Sequence, residues 1–121
     1  MIEFIRADHI NICVPPERLE EARSFYVDVI GLKQIYRPDN IFDSPGYWFD
    51  IGNIQLHVGV EPLKPRSVRH IAFEIKNVDD AVKLFEKYNV EIVEEPVIPG
   101  RKRFAFIDPF GNRMELLQLI D

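Results

Sequence analysis

Two stretches of this chain say nearly the same thing. "HINICV" at residues 9–14 and "HIAFEI" at residues 70–75 share the pattern His-Ile-x-x-x-Val/Ile, 61 positions apart (9 to 70). Each is followed by a segment with helical spacing and then by three short extended pieces. A Gly-Asn pair precedes the last extended piece of both halves, Gly52-Asn53 and Gly111-Asn112. A repeat of this size means that one supersecondary unit is used twice, since about 60 residues alone bury too little apolar surface.

The local signals fill in that unit. Ile10, Ile12 and Val14 alternate with His9, Asn11 and Cys13, the period of a half-buried strand. Pro15-Pro16 ends it. In "ERLEEARSFYVDVIG" the residues Leu19, Ala22, Tyr26, Val29 and Ile30 recur at helical spacing, with Gly31 where a helix terminates. "LKQIY", "YWFDI" and "IQLHVGV" then read as strands. In the second half, "NVDDAVKLFEKYNV" is a helix with Asn77 or Asp79 as its N-cap. "EIVEE", "RFAFI" and "RMELLQLI" complete the set, the last two joined by "DPFGN". The prediction is an α+β chain of two βαβββ modules, about 1–61 and about 68–121. They should pack together as a single domain through the proline-containing connector "EPLKPRS".

Composition narrows the partners. A net charge of −5 and 29% charged residues describe an ordinary acidic globular chain. That balance argues against nucleic acid and against an anionic membrane surface. Cys13 is the single cysteine, so no internal disulfide is possible. No apolar run approaches the ~20 residues of a membrane span, and "MIEFIRADH" lacks the basic and apolar regions of a secretory signal. A cytoplasmic protein acting on a small molecule is the expectation.

The chain has three histidines, and strand alternation sorts them. If Ile10, Ile12 and Val14 face the helix, His9 faces away, and the same rule exposes His70. Ile54, Leu56 and Val58 leave His57 on the far side; Met114 and Leu116 leave Glu115 there. Counting from the two Gly-Asn pairs, however, sets Glu115 against Leu56. Either the first turn holds one more residue or His57 faces the core, and the Ile54/Leu56/Val58 alternation favours the former. Imidazoles with one carboxylate suit Zn²⁺, Ni²⁺, Fe²⁺, Co²⁺ or Mn²⁺ rather than the all-oxygen shells of Ca²⁺ or Mg²⁺.

"DHINICV", "SFYVDVIGLKQI", "RHIAFEI" and "DPFGNRMELL" together resemble the vicinal oxygen chelate superfamily, the glyoxalase–bleomycin resistance–dioxygenase group. The resemblance implies a cup of curved mixed sheet with helices on its outer face. It implies a divalent transition metal on the first, fourth, fifth and eighth strands, where His9, His57, His70 and Glu115 stand. Glyoxalase I-like members usually carry Glu or Gln where His57 stands, so only one carboxylate remains in the set. The implied chemistry is that of a lyase or isomerase: chelated vicinal oxygens of a carbonyl compound or its thiol adduct, an enediolate stabilised by the metal, and Glu115 as catalytic base. The same family contains iron extradiol dioxygenases built on two His and one Glu, thiol transferases acting on antibiotic epoxides, and metal-free drug-binding proteins. The resemblance also implies a homodimer, with the site either built from both modules of one chain or exchanged, so that His9 and His57 of one subunit face His70 and Glu115 of its mate. Trp48 and Phe49 are candidate walls for a substrate. Arg101 and Arg103, in the basic run "GRKR", are candidates for clasping an anionic group from a loop.

Overall fold

The computed structural model describes residues 1–121. The chain divides into two compact units, Met1–Leu63 and Lys64–Asp121, separating within the proline-containing connector. No helix is long and apolar enough to cross a membrane.

The first unit runs β1 (His9–Val14), a helical segment, β2 (Lys33–Ile35), β3 (Tyr47–Ile51) and β4 (Ile54–Val60). Pro15 stays extended and Pro16 opens a short 3₁₀ turn over Pro16–Arg18. That turn leads into α1 (Leu19–Ser24). The helix then widens: the Ile30 amide donates to the Phe25 carbonyl and the Leu32 amide to that of Tyr26. Gly31 closes the segment at φ +87°, a conformation that suits glycine and few other residues. The sheet order is β1-β4-β3-β2, with β1 parallel to β4 and the other pairs antiparallel. Val14, Ala22, Tyr26, Phe49 and Leu56 form the buried core between helix and sheet.

The second unit repeats this with β5 (His70–Glu74), α2 (Val78–Lys87), β6 (Glu91–Val93), β7 (Arg101–Ile107) and β8 (Arg113–Leu119). Its order is β5-β8-β7-β6, with β5 parallel to β8. Asn77 is the N-cap of α2, its side chain accepting the Asp80 amide at 3.0 Å. Phe85 descends from α2 onto Phe104 and Phe106. Buried Asp108 organises the "DPFGN" loop by accepting the amides of Phe110 and Asn112.

Register decides where the histidines fall. Asn11 lies opposite His57 in one unit, and Ala72 lies opposite Glu115 in the other. His57 and Glu115 therefore occupy equivalent sheet positions, each beside the residue two past its module's histidine. The Gly-Asn pairs mislead by one because their loops differ. Gly52-Asn53 is the whole loop between paired Ile51 and Ile54, whereas Gly111-Asn112 ends the longer loop between paired Ile107 and Arg113. Strand β4 thus advances one residue further before meeting the partner of its histidine.

Candidate metal centre

Each unit presents candidate metal donors of its own. In the first, His9 sits at the start of the edge strand β1, and its Nδ1 meets Asp8 Oδ2 at 2.8 Å. A carboxylate only accepts, so Nδ1 carries the hydrogen and Nε2 keeps its lone pair. This is the arrangement by which a second carboxylate orients a metal-ligating imidazole. The same hydrogen bond, with Arg6 helping, holds the Asp8 carboxyl below its ordinary range.

His57 lies across from Trp48 in the β3–β4 register, and their rings stack at 4.0 Å with planes 1° apart. His9 stacks on the other face of His57, again at 4.0 Å, with planes 16° apart. His57 Nε2 meets Gln55 Oε1 at 2.9 Å. Burial first, then the nearby His9, pushes the His57 pKa down, which keeps this sandwiched ring neutral. Beyond Trp48, the Phe42 ring stands edge-on at 5.8 Å.

In the second unit, His70 begins the edge strand β5, and its Nδ1 donates to the Val68 carbonyl at 2.9 Å. That fixes the tautomer and leaves Nε2 facing Glu115 Oε1 at 3.7 Å. Glu115 is buried, and its Oε1 also accepts from Arg103 Nη1 at 2.9 Å. The remaining guanidinium donors, Nε and Nη2, both reach the Pro96 carbonyl.

The donor chemistry fits a divalent ion. Metal–nitrogen and metal–oxygen bonds of about 2.1 Å can span a 3.7 Å gap between an imidazole nitrogen and a carboxylate oxygen. His9 offers a second imidazole with its outer nitrogen already held. No group of three His, Cys, Asp or Glu side chains is gathered in the structure. His70 and Glu115 are the candidate donors of the second unit, and His9 that of the first.

Several expected contacts are different in the structure. Phe49 does not line a substrate wall; it is fully buried against Tyr26 in the core of the first unit. Neighbouring strand residues face opposite sides, so Trp48 and Phe49 cannot share one. "GRKR" is not a loop either, because Arg101–Arg103 open β7. Alternation sends Lys102 towards Asp79 at the start of α2 (3.3 Å) and Arg103 towards Glu115. Arg103 is thus committed to a carboxylate and a carbonyl of its own unit. Arg101 shares its strand face and is half-buried. Burial, and then Glu61, pushes the Cys13 thiol up, away from nucleophilic service.

Asp8, Gln55 and Arg103 were the partners harder to read from the sequence. Asp8 stands next to His9, and Gln55 lies two residues before His57, hence on its face. The Arg103–Glu115 contact needs the β7–β8 register, in which Ala105 opposes Glu115 and Arg103 is its diagonal neighbour.

The family model for the Glyoxalase/Bleomycin resistance protein/Dioxygenase superfamily matches residues 6–116. Among solved structures, a glyoxalase family protein from Bacillus anthracis is 34% identical over 99% of this chain and 100% of its own, with a TM-score of 0.88. The fosfomycin resistance protein FosX from Mesorhizobium loti is 27% identical over 96% of this chain and 91% of its own, at a TM-score of 0.70. A FosX variant from Listeria monocytogenes, complexed with Mn(II) and 1S,2S-dihydroxypropylphosphonic acid, is 22% identical. Coverage there is 99% of this chain and 95% of that one, with a TM-score of 0.80. No curated protein matches the sequence.

Proposed function

Because the chain belongs to the Glyoxalase/Bleomycin resistance protein/Dioxygenase superfamily, we propose that it is a metal-dependent lyase or isomerase of the glyoxalase-like class. Its substrate is a small carbonyl compound, or a thiol adduct of one, with two neighbouring oxygens. The observation that carries this reading is the pair of oriented half-sets: His9 with its tautomer set by Asp8, and His70 with its tautomer set by Val68 and its outer nitrogen facing Glu115. Fixing the inner nitrogen so that the outer one is free is what an imidazole ligand requires and a packing histidine does not.

His9, His70 and Glu115 would hold the ion, one of Zn²⁺, Ni²⁺, Fe²⁺, Co²⁺ or Mn²⁺. When bound, it supplies Lewis acidity towards the two substrate oxygens and the negative charge that develops there. Glu115 would be the catalytic carboxylate: Arg103 grips one oxygen, and the group would accept the substrate proton. Trp48 would offer an apolar wall beside His57 in the first unit. In the second, half-buried Arg101 would offer positive charge on β7, next to Arg103, which is held by Glu115 and Pro96.

The strands that carry His9 and His70 are sheet edges, β1 in one unit and β5 in the other. We propose a homodimer in which His9 of one copy would meet His70 and Glu115 of the other. The test is proton exchange. Metal-loaded protein incubated in D₂O with hemithioacetals of 2-oxoaldehydes should exchange the carbon-bound hydrogen, and Glu115→Gln should abolish this. Absence of exchange across such substrates refutes the lyase/isomerase reading.

A second reading is opening of a phosphonate epoxide. It is favoured by the 27% identity to FosX from Mesorhizobium loti, a fosfomycin resistance protein. Loss of fosfomycin in the presence of Mn(II), with no proton exchange, would select it.

A further inference from the structure

His57 stands where a four-ligand member of the family would place its fourth donor, yet its surroundings are those of a spacer. We infer that His57 is a positioning residue: a flat ring wedged between Trp48 and His9 that holds the His9 imidazole for the metal without ligating it. This rests on the metal-site reading above.

Three observations carry it. An imidazole binds a metal through a lone pair in the plane of its ring, so two imidazoles on one ion must both have that ion in their planes. The His9 and His57 rings lie 4.0 Å apart with planes only 16° from parallel. Planes so nearly parallel do not meet within a metal–nitrogen bond of about 2.1 Å from either ring. Second, His57 Nε2 is already spent on Gln55 at 2.9 Å. Third, Trp48 covers the opposite face at 4.0 Å with planes 1° apart, so swinging His57 towards an ion would break a face-to-face contact.

The stack also explains how His9 is fixed. β1 is an edge strand, and the His9 side chain is 44% exposed. Asp8 holds one nitrogen but leaves the ring free to pivot about that bond. A flat neighbour on one face removes the pivot. Any planar ring of similar size would do the same, which separates this role from ligation.

The experiment is a zinc titration of the ¹⁵N-labelled full-length protein, following its three imidazoles by two-bond ¹H–¹⁵N correlation. His9 and His70 should shift to the pattern of a metal-bound ring, while His57 keeps a pattern unchanged in type. Three metal-bound histidines would overturn the inference and leave the metal site standing. No metal-bound histidine would overturn both. Variants give an independent check by zinc affinity: His57→Phe, which keeps the ring, should stay within about threefold of the parent. His57→Ala and Trp48→Ala should each weaken zinc binding about 10- to 100-fold, the usual effect of losing a group that orients a ligand. Equal losses for His57→Phe and His57→Ala refute the spacer role.

Discussion

Replacing Arg103 by Met should reveal how the carboxylate of the metal site is sustained. Glu115 has a side-chain exposure of 7% and Arg103 of 13%, so water screens little of their contact at 2.9 Å. Removing the cation leaves a buried carboxylate facing only an imidazole at 3.7 Å. Stranding one member of a buried pair costs about 3–5 kcal/mol. With a urea slope of about 2 kcal/mol per molar, the midpoint of chelator-treated protein should fall by about 2 M. Removing the charge on Glu115 as well should recover much of the loss, so Arg103→Met with Glu115→Gln should be less destabilised than Arg103→Met alone. A divalent ion replaces the missing positive charge, so saturating metal should stabilise Arg103→Met more than the parent. At 100 times its Kd an ion contributes about 2.7 kcal/mol to any folded protein that binds it, and the variant should exceed the parent's gain. A loss under about 1 kcal/mol, or strict additivity in the double variant, would refute the reasoning.

Other perturbations separate core from site. Phe49→Ala removes a fully buried ring and should cost about 3–5 kcal/mol by urea unfolding, whereas Trp48→Ala should act chiefly on metal affinity. Gly46→Ala should destabilise by about 1–3 kcal/mol, because the added carbon would stand 2.6 Å from the Val58 carbonyl oxygen. Tyr47 donates a hydrogen bond to Glu20, and this holds the Glu20 carboxyl below its ordinary 4.5. A depressed carboxylate stabilises the fold above its unfolded value and loses that contribution as pH falls through its folded one. Tyr47→Phe should therefore be less stable than the parent at pH 7, with the gap closing in acid as the Glu20 carboxyl becomes protonated. A gap independent of pH in thermal melts would show that Glu20 is not its source.

The fold was legible because its two halves state the same pattern. Strand alternation in "HINICV" and "HIAFEI", the Gly31 stop and the Asn77 cap each have one local cause, and the structure places each element where that cause requires. What alternation could not supply was register. Gly52-Asn53 and Gly111-Asn112 look equivalent in sequence, yet one is a complete hairpin loop and the other the end of a longer loop folded around Asp108. The same limit hid Arg103: a basic run reads as a solvated loop until β7 pairs with β8 and turns alternate side chains inward. Phe49 follows a related rule, since an aromatic run on a strand must split between core and open face. Side chains that share a face across strands are a property of pairing, and pairing is not written in any single segment.

The proposed chemistry requires His9, His70 and Glu115 to grip one ion. Elemental analysis of the purified protein beside His70→Ala tests it most directly. The expected result is one equivalent of transition metal per chain, lost in the variant. A protein that takes up no metal under any loading condition, or a His70→Ala variant that keeps its full equivalent, would contradict it.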